Sequence, residues 1–270
     1  MYKFDVIGLP VFQSKSPKLF KFIFNTLNIN ASYDAHEIVN LSALENYIKL
    51  CKKNNSLGCN VTMPYKETIN QFIDYYDSIS KITESVNCIK IVRNKIFGYN
   101  NDYFGFKKLI GLNKINIKHS NNIILGSGGS ARTIILYLLN NNAKNITILS
   151  RNKKASLRII KKFNSINKKV KIDLYRDNFN YTNYNLINCT PIGLKPNTSK
   201  KILSLLSLVN FNVIIDINYI YKKDFFNLSH KKIITGELMF IFQAFKSLDI
   251  WFESNISDKL DYMEIKKLLC

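Results

Sequence analysis

Three glycines that follow an apolar segment stand where they could hold the diphosphate of a dinucleotide. Residues 121–125 read as a short strand, which runs directly into residues 126–131, Gly-Ser-Gly-Gly-Ser-Ala, and residues 134–139 continue as an apolar helix. Glycines there let a diphosphate approach the backbone, and the helix N-terminus offers free N–H groups and a positive dipole end. An ordinary turn is the plain alternative, but the strand and the helix are the context that the motif requires. We therefore predict dinucleotide binding by Gly126, Ser127, Gly128, Gly129, Ser130 and Ala131.

The end of the next predicted strand, residues 145–149, indicates which dinucleotide is bound. An NAD enzyme usually has Asp or Glu there to hold the ribose 2′-hydroxyl. This chain instead has Ser150, Arg151 and Asn152, followed by two lysines. Arg151 could stack on the adenine and pair with a 2′-phosphate, although a solvated helix start in a very basic protein is the alternative. The absence of a carboxylate favours NADP over NAD.

Polar clusters recur in the first third of the chain, and each has a plain structural explanation. Serines 14 and 16 could be helix caps, Asn60 and Thr62 could form turns, Lys66 could be a surface lysine, and Asp102 could be an N-cap. The clusters are Ser-Lys-Ser-Pro at 14–17, Gly-Cys-Asn-Val-Thr-Met-Pro-Tyr-Lys at 58–66, Val-Asn at 86–87 and Gly-Tyr-Asn-Asn-Asp at 98–102.

Taken together and in order, these motifs resemble those of the shikimate dehydrogenase family over essentially the whole chain. The segment Asn-Val-Thr-x-Pro-x-Lys, ending at Lys66, is highly specific. The resemblance continues through Asn-x-Asp at 100–102, Gly-x-Gly-Gly at 126–129, Asn-x-Thr-x-x-Gly at 188–193 and the stretch from Met239 to Gln243. It implies an NADP-dependent oxidoreductase that interconverts 3-dehydroshikimate and shikimate, a step in the synthesis of aromatic amino acids.

The resemblance also implies roles for individual residues. Lys66 and Asp102 would be the catalytic pair, because an ammonium beside a carbonyl oxygen stabilises the developing alkoxide and can donate the proton. The substrate-binding residues would be Ser14, Ser16, Asn60, Thr62, Lys66, Asn87, Asp102, Tyr219 and Gln243. Beyond the glycine loop and residues 150–152, the cofactor would contact Thr190, Gly193, Ile217, Gly236 and Met239.

Several residues depart from the family pattern. Asn101 replaces the usual Thr beside Asp102, Cys88 replaces the Thr after Val-Asn, and Leu238 stands where a glycine usually lets the nicotinamide approach the backbone. Three alternatives remain at this point: a quinate/shikimate dehydrogenase of broader specificity, a catalytically impaired binding protein of the same fold, and a nucleic-acid binder.

The order of predicted elements indicates an α/β protein. Strands at 2–8, 32–38 and 57–62 alternate with two helices. The first helix is predicted to have Ser16 as its N-cap and Pro17 in its first turn, and the second spans 41–54. Arg93-Asn94 joins a predicted hairpin of 87–92 and 95–100. Further strands at 170–174, 185–189, 213–217 and 231–235 predict a parallel, doubly wound sheet. Two helices, split near Asn255, end the chain. By resemblance, residues 1–101 form the substrate domain, 102–235 the Rossmann-type NADP domain, and 236–270 C-terminal helices that return to the substrate domain.

Composition narrows the class of protein further. The 270 residues carry a net charge of +20, but the lysines are spread along the chain, so we expect no nucleic-acid partner. We expect no membrane span, because about 18 consecutive apolar residues are lacking, and no targeting segment, because the first residues already read as a strand. The cysteines are scattered and odd in number, which favours reduced thiols in the cytoplasm. Neither the cysteines nor the histidines form a spacing that argues for a metal site. The resemblance implies a monomer or a homodimer.

Overall fold

The computed structural model describes the chain except for residues 55, 168, 176–180, 193–199, 220–224, 226 and 270. The chain divides into two compact units, the first formed by Met1–Gly105 with Phe240–Cys270 and the second by Phe106–Met239. The strands are β1 (Tyr2–Gly8), β2 (Ala31–Glu37), β3 (Gly58–Val61), β4 (Tyr75–Tyr76), β5 (Cys88–Val92), β6 (Lys95–Tyr99), β7 (Asn121–Leu125), β8 (Asn145–Leu149), β9 (Lys171–Leu174), β10 (Thr182–Asn188), β11 (Asn210–Asp216) and β12 (His230–Thr235). The α-helices are α1 (Ser16–Thr26), α2 (Leu41–Lys53), α3 (Tyr65–Thr68), α4 (Ser78–Thr83), α5 (Asn101–Leu112), α6 (Gly129–Asn140), α7 (Lys153–Ile166), α8 (Lys200–Leu206), α9 (Glu237–Phe252) and α10 (Tyr262–Leu269).

The first unit is built on a mixed sheet with the strand order β2-β1-β3-β5-β6-β4. Strand β1 pairs in parallel with β2 and β3, and the pairing turns antiparallel at β5. The predicted hairpin is confirmed, because β5 and β6 pair antiparallel around Arg93 and Asn94. Both turn residues have positive φ angles, of 48° and 62°, as a two-residue turn that matches the twist of the strands requires.

Helix α1 begins one residue away from its predicted cap. Ser16 is the first helical residue rather than the cap, and Lys15 occupies the N-cap position without a capping side chain. The reason is that the backbone of Lys15 is already helical, with φ −79° and ψ −2°. Pro17 lies in the first turn as predicted, where its missing N–H leaves no hydrogen bond unmade.

Trp251 anchors the end of α9 in the core of the first unit. Its ring stacks on Phe4 with a centroid distance of 4.4 Å, and its indole N–H donates to the carbonyl oxygen of Ile89 at 3.0 Å. Gly58 makes this contact possible, because a Cβ there would lie 2.1 Å from that carbonyl oxygen and 2.6 Å from the indole nitrogen. Helix α9 therefore has a fixed position on the sheet of the first unit.

The second unit contains a fully parallel sheet with the order β12-β11-β10-β7-β8-β9. The predicted doubly wound sheet is therefore confirmed. Counted from β7 as the first strand, the order is that of a Rossmann fold, and the order reverses between β7 and β10. Ligands of such sheets bind where the strand order reverses, outside the carboxyl ends of the strands. The loops that follow β7 and β10 are thus the predicted ligand-binding edge. Among the described residues, no helix is long and apolar enough to cross a membrane.

Candidate active site

The structure brings Lys66 and Asp102 together in the first unit. Lys66 lies on the short helix α3, directly after β3, and Asp102 lies in the first turn of α5. The ammonium of Lys66 donates to Oδ2 of Asp102 at 2.6 Å. The side chains of Lys66 and Asp102 are only 18% and 8% exposed to solvent. The ion pair is therefore shielded from water, and the attraction between its charges is stronger than at the surface. This pair can orient a proton donor at a bound oxygen.

Asn87 holds the second oxygen of the same carboxylate. Its Nδ2 donates to Oδ1 of Asp102 at 2.9 Å and to Oε1 of Gln243 at 3.3 Å. Its own Oδ1 accepts the backbone N–H of Asn101 at 2.7 Å. Because both Asp102 oxygens have donors, the carboxylate has a defined orientation. Four predicted site residues, from α3, the segment before β5, α5 and α9, therefore meet in one cluster.

Asn60 lies in the same cluster, but its amide is already engaged by protein groups. Its Nδ2 donates to Oγ of Ser247 at 2.9 Å and to the carbonyl oxygen of Asn87 at 3.2 Å. Its Oδ1 accepts the hydroxyl of Tyr33 at 2.7 Å. Burial raises the pKa of Tyr33 well above its ordinary value, so this hydroxyl keeps the proton that it donates.

Sequence reasoning missed Tyr33 and Ser247. Ser247 is four residues after Gln243, and residues four apart lie on the same face of a helix, so the spacing on α9 was an available signal. Tyr33 lies on β2, and its contact with Asn60 joins residues that are 27 positions apart. No motif marked Tyr33 in the sequence.

The remaining predicted substrate residues of the first unit follow β1 and β3. Oγ of Ser14 accepts the backbone N–H of Ser16 at 3.2 Å, and the two hydroxyls lie 3.1 Å apart. Thr62 follows β3, and its backbone N–H donates to the carbonyl oxygen of Ile7 on β1 at 2.9 Å. Because β1 and β3 are parallel neighbours, the segments that follow them leave the same edge of the sheet. The structure thus places these three hydroxyl-bearing residues at one edge.

In the second unit, the glycine loop has the geometry that a diphosphate requires. Gly126 has a φ angle of +105°, which strongly favours glycine, and a Cβ there would lie 2.9 Å from Cγ2 of Thr190. Helix α6 begins at Gly129 and has no side-chain cap at Gly128. The first-turn N–H groups of a helix have no partner within the helix, so this N-terminus can receive an anion. These residues fit the diphosphate of a dinucleotide.

The predicted 2′-phosphate residues lie beside that loop. The hydroxyls of Ser127 and Ser150 are 2.8 Å apart, which connects the glycine loop with the end of β8. Asn152 caps helix α7, because its Oδ1 accepts the backbone N–H of Ala155 at 3.0 Å. Arg151 between them is exposed. The positions that a carboxylate would occupy in an NAD enzyme therefore carry a hydroxyl, a guanidinium and an amide.

A polar network fixes the segment after β10, where Thr190 lies. Asn188 accepts the N–H of Thr190 at 3.1 Å and its hydroxyl at 2.6 Å, and donates to Oδ1 of Asp216 at 2.9 Å. Asn218 donates to the same oxygen at 2.8 Å and to the carbonyl oxygen of Thr190 at 2.9 Å. Burial raises the pKa of Asp216 to about 6, against the lowering effect of these hydrogen bonds. Asp216 and Asn218 are members of this network that the site residues predicted from the sequence did not include.

Ile217 and Gly236 are also brought together. The backbone N–H of Gly236 donates to the carbonyl oxygen of Asn218 at 3.0 Å. A Cβ on Gly236 would lie 2.0 Å from the carbonyl oxygen of Ile217, so only glycine allows this approach. Met239 is buried at the start of α9, and Tyr219 is half-buried after β11. Gly193 lies outside the described residues.

Comparison with known proteins decides the family. Residues 6–89 match the family model described as the shikimate dehydrogenase substrate binding domain. The chain is 34% identical over 265 residues to shikimate dehydrogenase (NADP(+)) of Clostridium beijerinckii, covering 95% of this chain and 94% of that one. The chain belongs to the shikimate dehydrogenase family. A second member of the family, shikimate dehydrogenase (NADP(+)) of Clostridium botulinum strain Hall, is 36% identical over 259 residues, with coverage of 93% and 96%.

A solved structure of the shikimate dehydrogenase family supports the fold. The crystal structure of shikimate dehydrogenase 1 from Peptoclostridium difficile matches with a TM-score of 0.81 and 26% identity, covering 100% of this chain and 99% of that chain. The resemblance read from the sequence, the α/β fold and the assignment to a family of NADP-dependent oxidoreductases are therefore confirmed.

The departures from the shikimate dehydrogenase pattern have defined surroundings. Nδ2 of Asn101 donates to Oγ of Ser247 at 3.0 Å. Cys88 is fully buried, and burial raises its pKa to about 12, so it remains a thiol. Leu238 is half-buried in the first turn of α9. Among the described residues, no group of three or more His, Cys, Asp or Glu side chains could hold a metal ion.

Proposed function

We propose that this chain is an NADP-dependent shikimate dehydrogenase, which reversibly reduces 3-dehydroshikimate to shikimate. The observation that carries the proposal is the 2.6 Å ion pair of Lys66 with Asp102, whose other carboxylate oxygen is held by Asn87. A ketone reductase needs a positioned proton donor at the oxygen while hydride arrives at carbon. The names of the curated relatives, shikimate dehydrogenase (NADP(+)), indicate which substrate and which cofactor to propose.

Lys66 acts at the reacting oxygen. In the direction of reduction, its ammonium hydrogen-bonds the ketone oxygen, stabilises the developing negative charge and donates the proton. In the direction of oxidation, the neutral amine takes the proton from the hydroxyl. Asp102 keeps the ammonium oriented and accepts a hydrogen bond from the same substrate hydroxyl. Both side chains are largely shielded from water, which strengthens these interactions.

The hydroxyl and amide groups around the pair bind the substrate. Ser14, Ser16 and Thr62 leave one edge of the sheet, where their hydroxyls can donate to the substrate's carboxylate and hydroxyls. Asn87 and Gln243 present amides next to Asp102, and the family resemblance assigns Tyr219 to the carboxylate. Asn60 is different, because both hydrogens of its amide nitrogen are donated to protein groups. Its contacts favour a role in orienting the other groups.

The second unit binds NADP. When bound, NADPH supplies the hydride. The loop from Gly126 to Ala131 and the start of α6 hold the diphosphate, and the guanidinium of Arg151, flanked by Ser150 and Asn152, pairs with the 2′-phosphate. By the family resemblance, the cofactor would also contact Thr190, Gly193, Ile217, Gly236 and Met239.

The proposal assigns substrate binding and NADP binding to different parts of the chain. The first unit, Met1–Gly105 with Phe240–Cys270, binds the substrate, and the second unit, Phe106–Met239, binds NADP. Both boundaries lie four residues later than those of the domains predicted at 1–101, 102–235 and 236–270, so Asp102 belongs with the substrate-binding residues. The family match at residues 6–89, described as a substrate binding domain, supports the first assignment. The packing of Trp251 against Phe4 supports the inclusion of the C-terminal helices in the first unit.

We place the enzyme in the cytoplasm, as a monomer or a homodimer with small-molecule ligands. The support is chemical: among the described residues, the cysteines at 51, 59, 88 and 189 are thiols and not disulfides, as a reducing compartment maintains. Fractionation of the source cells tests the location, and recovery of the protein outside the cytoplasm would contradict it. Sedimentation equilibrium measures the oligomeric state.

Absorbance of the reduced nicotinamide tests the function directly. Purified protein is incubated with shikimate and NADP+, with NAD+ and quinate as parallel alternatives. We expect rapid turnover only with shikimate and NADP+. Equal turnover of quinate would indicate the broader enzyme. Folded protein without activity on any pair would contradict the proposed function and favour a binding protein with Leu238 in place of the family's glycine.

A further inference from the structure

The hydroxyl of Ser247 on α9 is the centre of the buried polar network in the first unit. The side chain is completely buried. Its Oγ donates to the carbonyl oxygen of Gln243 at 3.0 Å and accepts hydrogen bonds from Nδ2 of Asn60 at 2.9 Å and Nδ2 of Asn101 at 3.0 Å. A hydroxyl has one hydrogen to donate and two lone pairs to accept. Ser247 therefore makes every hydrogen bond that its hydroxyl allows.

One branch of the network leads from Ser247 to the carboxylate of Asp102. Ser247 holds the side chain of Asn101, the first residue of α5, and the backbone N–H of Asn101 donates to Oδ1 of Asn87 at 2.7 Å. A backbone N–H can only donate, so the amide oxygen of Asn87 has to face it. Nδ2 of Asn87 is thereby directed towards Oδ1 of Asp102, at 2.9 Å. The orientation of Asp102 thus depends on the contact between Ser247 and Asn101.

A second branch reaches the strand that precedes Lys66. Asn60 on β3 donates to Ser247 and to the carbonyl oxygen of Asn87, while its own oxygen accepts from Tyr33. Its side-chain amide is therefore held by three hydrogen bonds. Asn60 is six residues before Lys66 and two before Thr62, so fixing Asn60 fixes the start of the segment that carries both. One branch therefore ends at Asp102, and the other ends at the segment that carries Lys66.

We propose that Ser247 is a positioning residue for the Lys66–Asp102 pair. Its hydroxyl aligns Asp102 through Asn101 and Asn87, without contacting the substrate. This inference rests on the proposed function, because it concerns how the catalytic pair is held. Alanine at position 247 leaves the amide hydrogens of two buried asparagines without their acceptor, and such groups reorient towards other partners. The amide of Asn87 then loses the restraint that directs it to Asp102.

The test is a double-mutant cycle between Ser247→Ala and Asn101→Ala, which remove the same hydrogen bond from its two ends. We expect each single variant to lower kcat for shikimate oxidation by roughly 10- to 100-fold, the range that one or two unmade buried hydrogen bonds produce. The kcat of the double variant should lie within about threefold of the kcat of the less active single variant, because the effects of coupled residues are not additive. The dissociation constant of NADP+, measured by fluorescence, should stay unchanged in all three, since the second unit is untouched.

Ser80→Ala is the matched control. Ser80 is also a completely buried serine of the first unit, but it hydrogen-bonds Asp77 and the carbonyl oxygen of Gly98. We expect this change to lower the unfolding temperature while kcat stays within about twofold of wild type. A fall in kcat equal to that of Ser247→Ala would show that any buried serine matters, and would overturn the positioning role.

The remaining outcomes are also decisive. Wild-type protein that fails to oxidise shikimate contradicts the proposed function, whatever the variants do. Active wild type with Ser247→Ala within about twofold of its kcat overturns the role of Ser247 alone, as do multiplicative effects in the cycle. If Ser247→Ala does not fold, Asn101→Ala breaks the same bond, and an unchanged kcat in that variant overturns the proposal.

Discussion

Nδ2 of Asn87 lies 2.9 Å from Oδ1 of Asp102, so the carboxylate oxygen that Lys66 does not contact is also held. Because Lys66 and Asn87 each hold one oxygen, the carboxylate of Asp102 cannot rotate freely about its side-chain bonds. The orientation of the ion pair therefore depends on neutral amide groups next to it. This arrangement makes the chemistry sensitive to small changes in groups that carry no charge.

Replacement of Lys66 by alanine should lower kcat by about 10²- to 10⁴-fold, because the positioned proton donor is lost. Binding of NADP+, measured by fluorescence titration, should change little. Lys81→Ala, which removes an exposed lysine on α4, is the control for charge and should retain kcat. Near-normal turnover of Lys66→Ala would exclude the proposed catalytic role.

Replacement of Arg151 by alanine should raise the KM for NADP+ by about 10- to 100-fold, because the loss of a charge-assisted contact costs about 1.5 to 3 kcal/mol. The KM for NAD+, which has no 2′-phosphate, should barely move. Arg158→Ala removes another exposed guanidinium, further along α7, and should affect neither constant. Equal increases for both cofactors after Arg151→Ala would contradict the assignment to the 2′-phosphate.

Replacement of Gly126 by alanine should destabilise the protein by roughly 1 to 3 kcal/mol and weaken NADP+ binding, because the backbone there is unfavourable for any residue with a Cβ. The new methyl group would also meet Thr190, 2.9 Å away. Gly111 on α5 is the matched control, because a Cβ there meets nothing within 4 Å. Gly111→Ala should stabilise the protein by about 0.5 to 1 kcal/mol. Thermal unfolding with and without NADP+ measures both effects, and a neutral Gly126→Ala would refute this reading of the loop.

Asp216 should make stability depend on pH in a defined direction. Its pKa is raised from 3.8 to about 6 in the folded protein, so between these values the folded state retains a proton that the unfolded state has lost. The resulting stabilisation is complete below pH about 4 and is lost as the pH rises through about 6. Asp216→Asn keeps an acceptor oxygen for Asn188 and Asn218 but cannot ionise.

The variant should therefore gain stability relative to wild type as the pH rises from 4 to 7. We expect a gain of about 2 kcal/mol, allowing for the partial exposure of the carboxylate. The measurement is the unfolding temperature of both proteins across this pH range. A constant difference would show that Asp216 ionises in the folded protein as it does in the unfolded chain.

The sequence predicted the larger elements because their patterns are local. The hairpin at Arg93 and Asn94 follows from two β-rich segments joined by two polar residues, and the Rossmann-type sheet follows from a glycine loop within strand–helix alternation. The cap at Ser16 was wrong because only the backbone angles of Lys15 place the helix start, and a residue type does not specify them.

The site was predictable as a set of residues but not as a network. Lys66, Asn87, Asp102 and Gln243 were found from motifs, and they meet in the structure. Ser247 was missed because its contact with Asn60 joins positions 187 residues apart. Only packing of α9 onto the sheet creates that contact. Likewise, the amide of Asn60 looked available for substrate, since the sequence does not show which hydrogen bonds the protein itself takes up.

The return of the C-terminal segment to the first unit has a consequence for synthesis of the chain on the ribosome. Phe4 and Trp251 stack in one core, although 246 residues lie between them in the sequence. The second unit is continuous, so all of its core residues emerge while the first unit still lacks α9 and α10. Since domains fold as units during translation, the nascent second unit can form its sheet first. The substrate unit, although it contains β1, is then the later of the two units to mature, because it can do so only after α9 and α10 have left the ribosome.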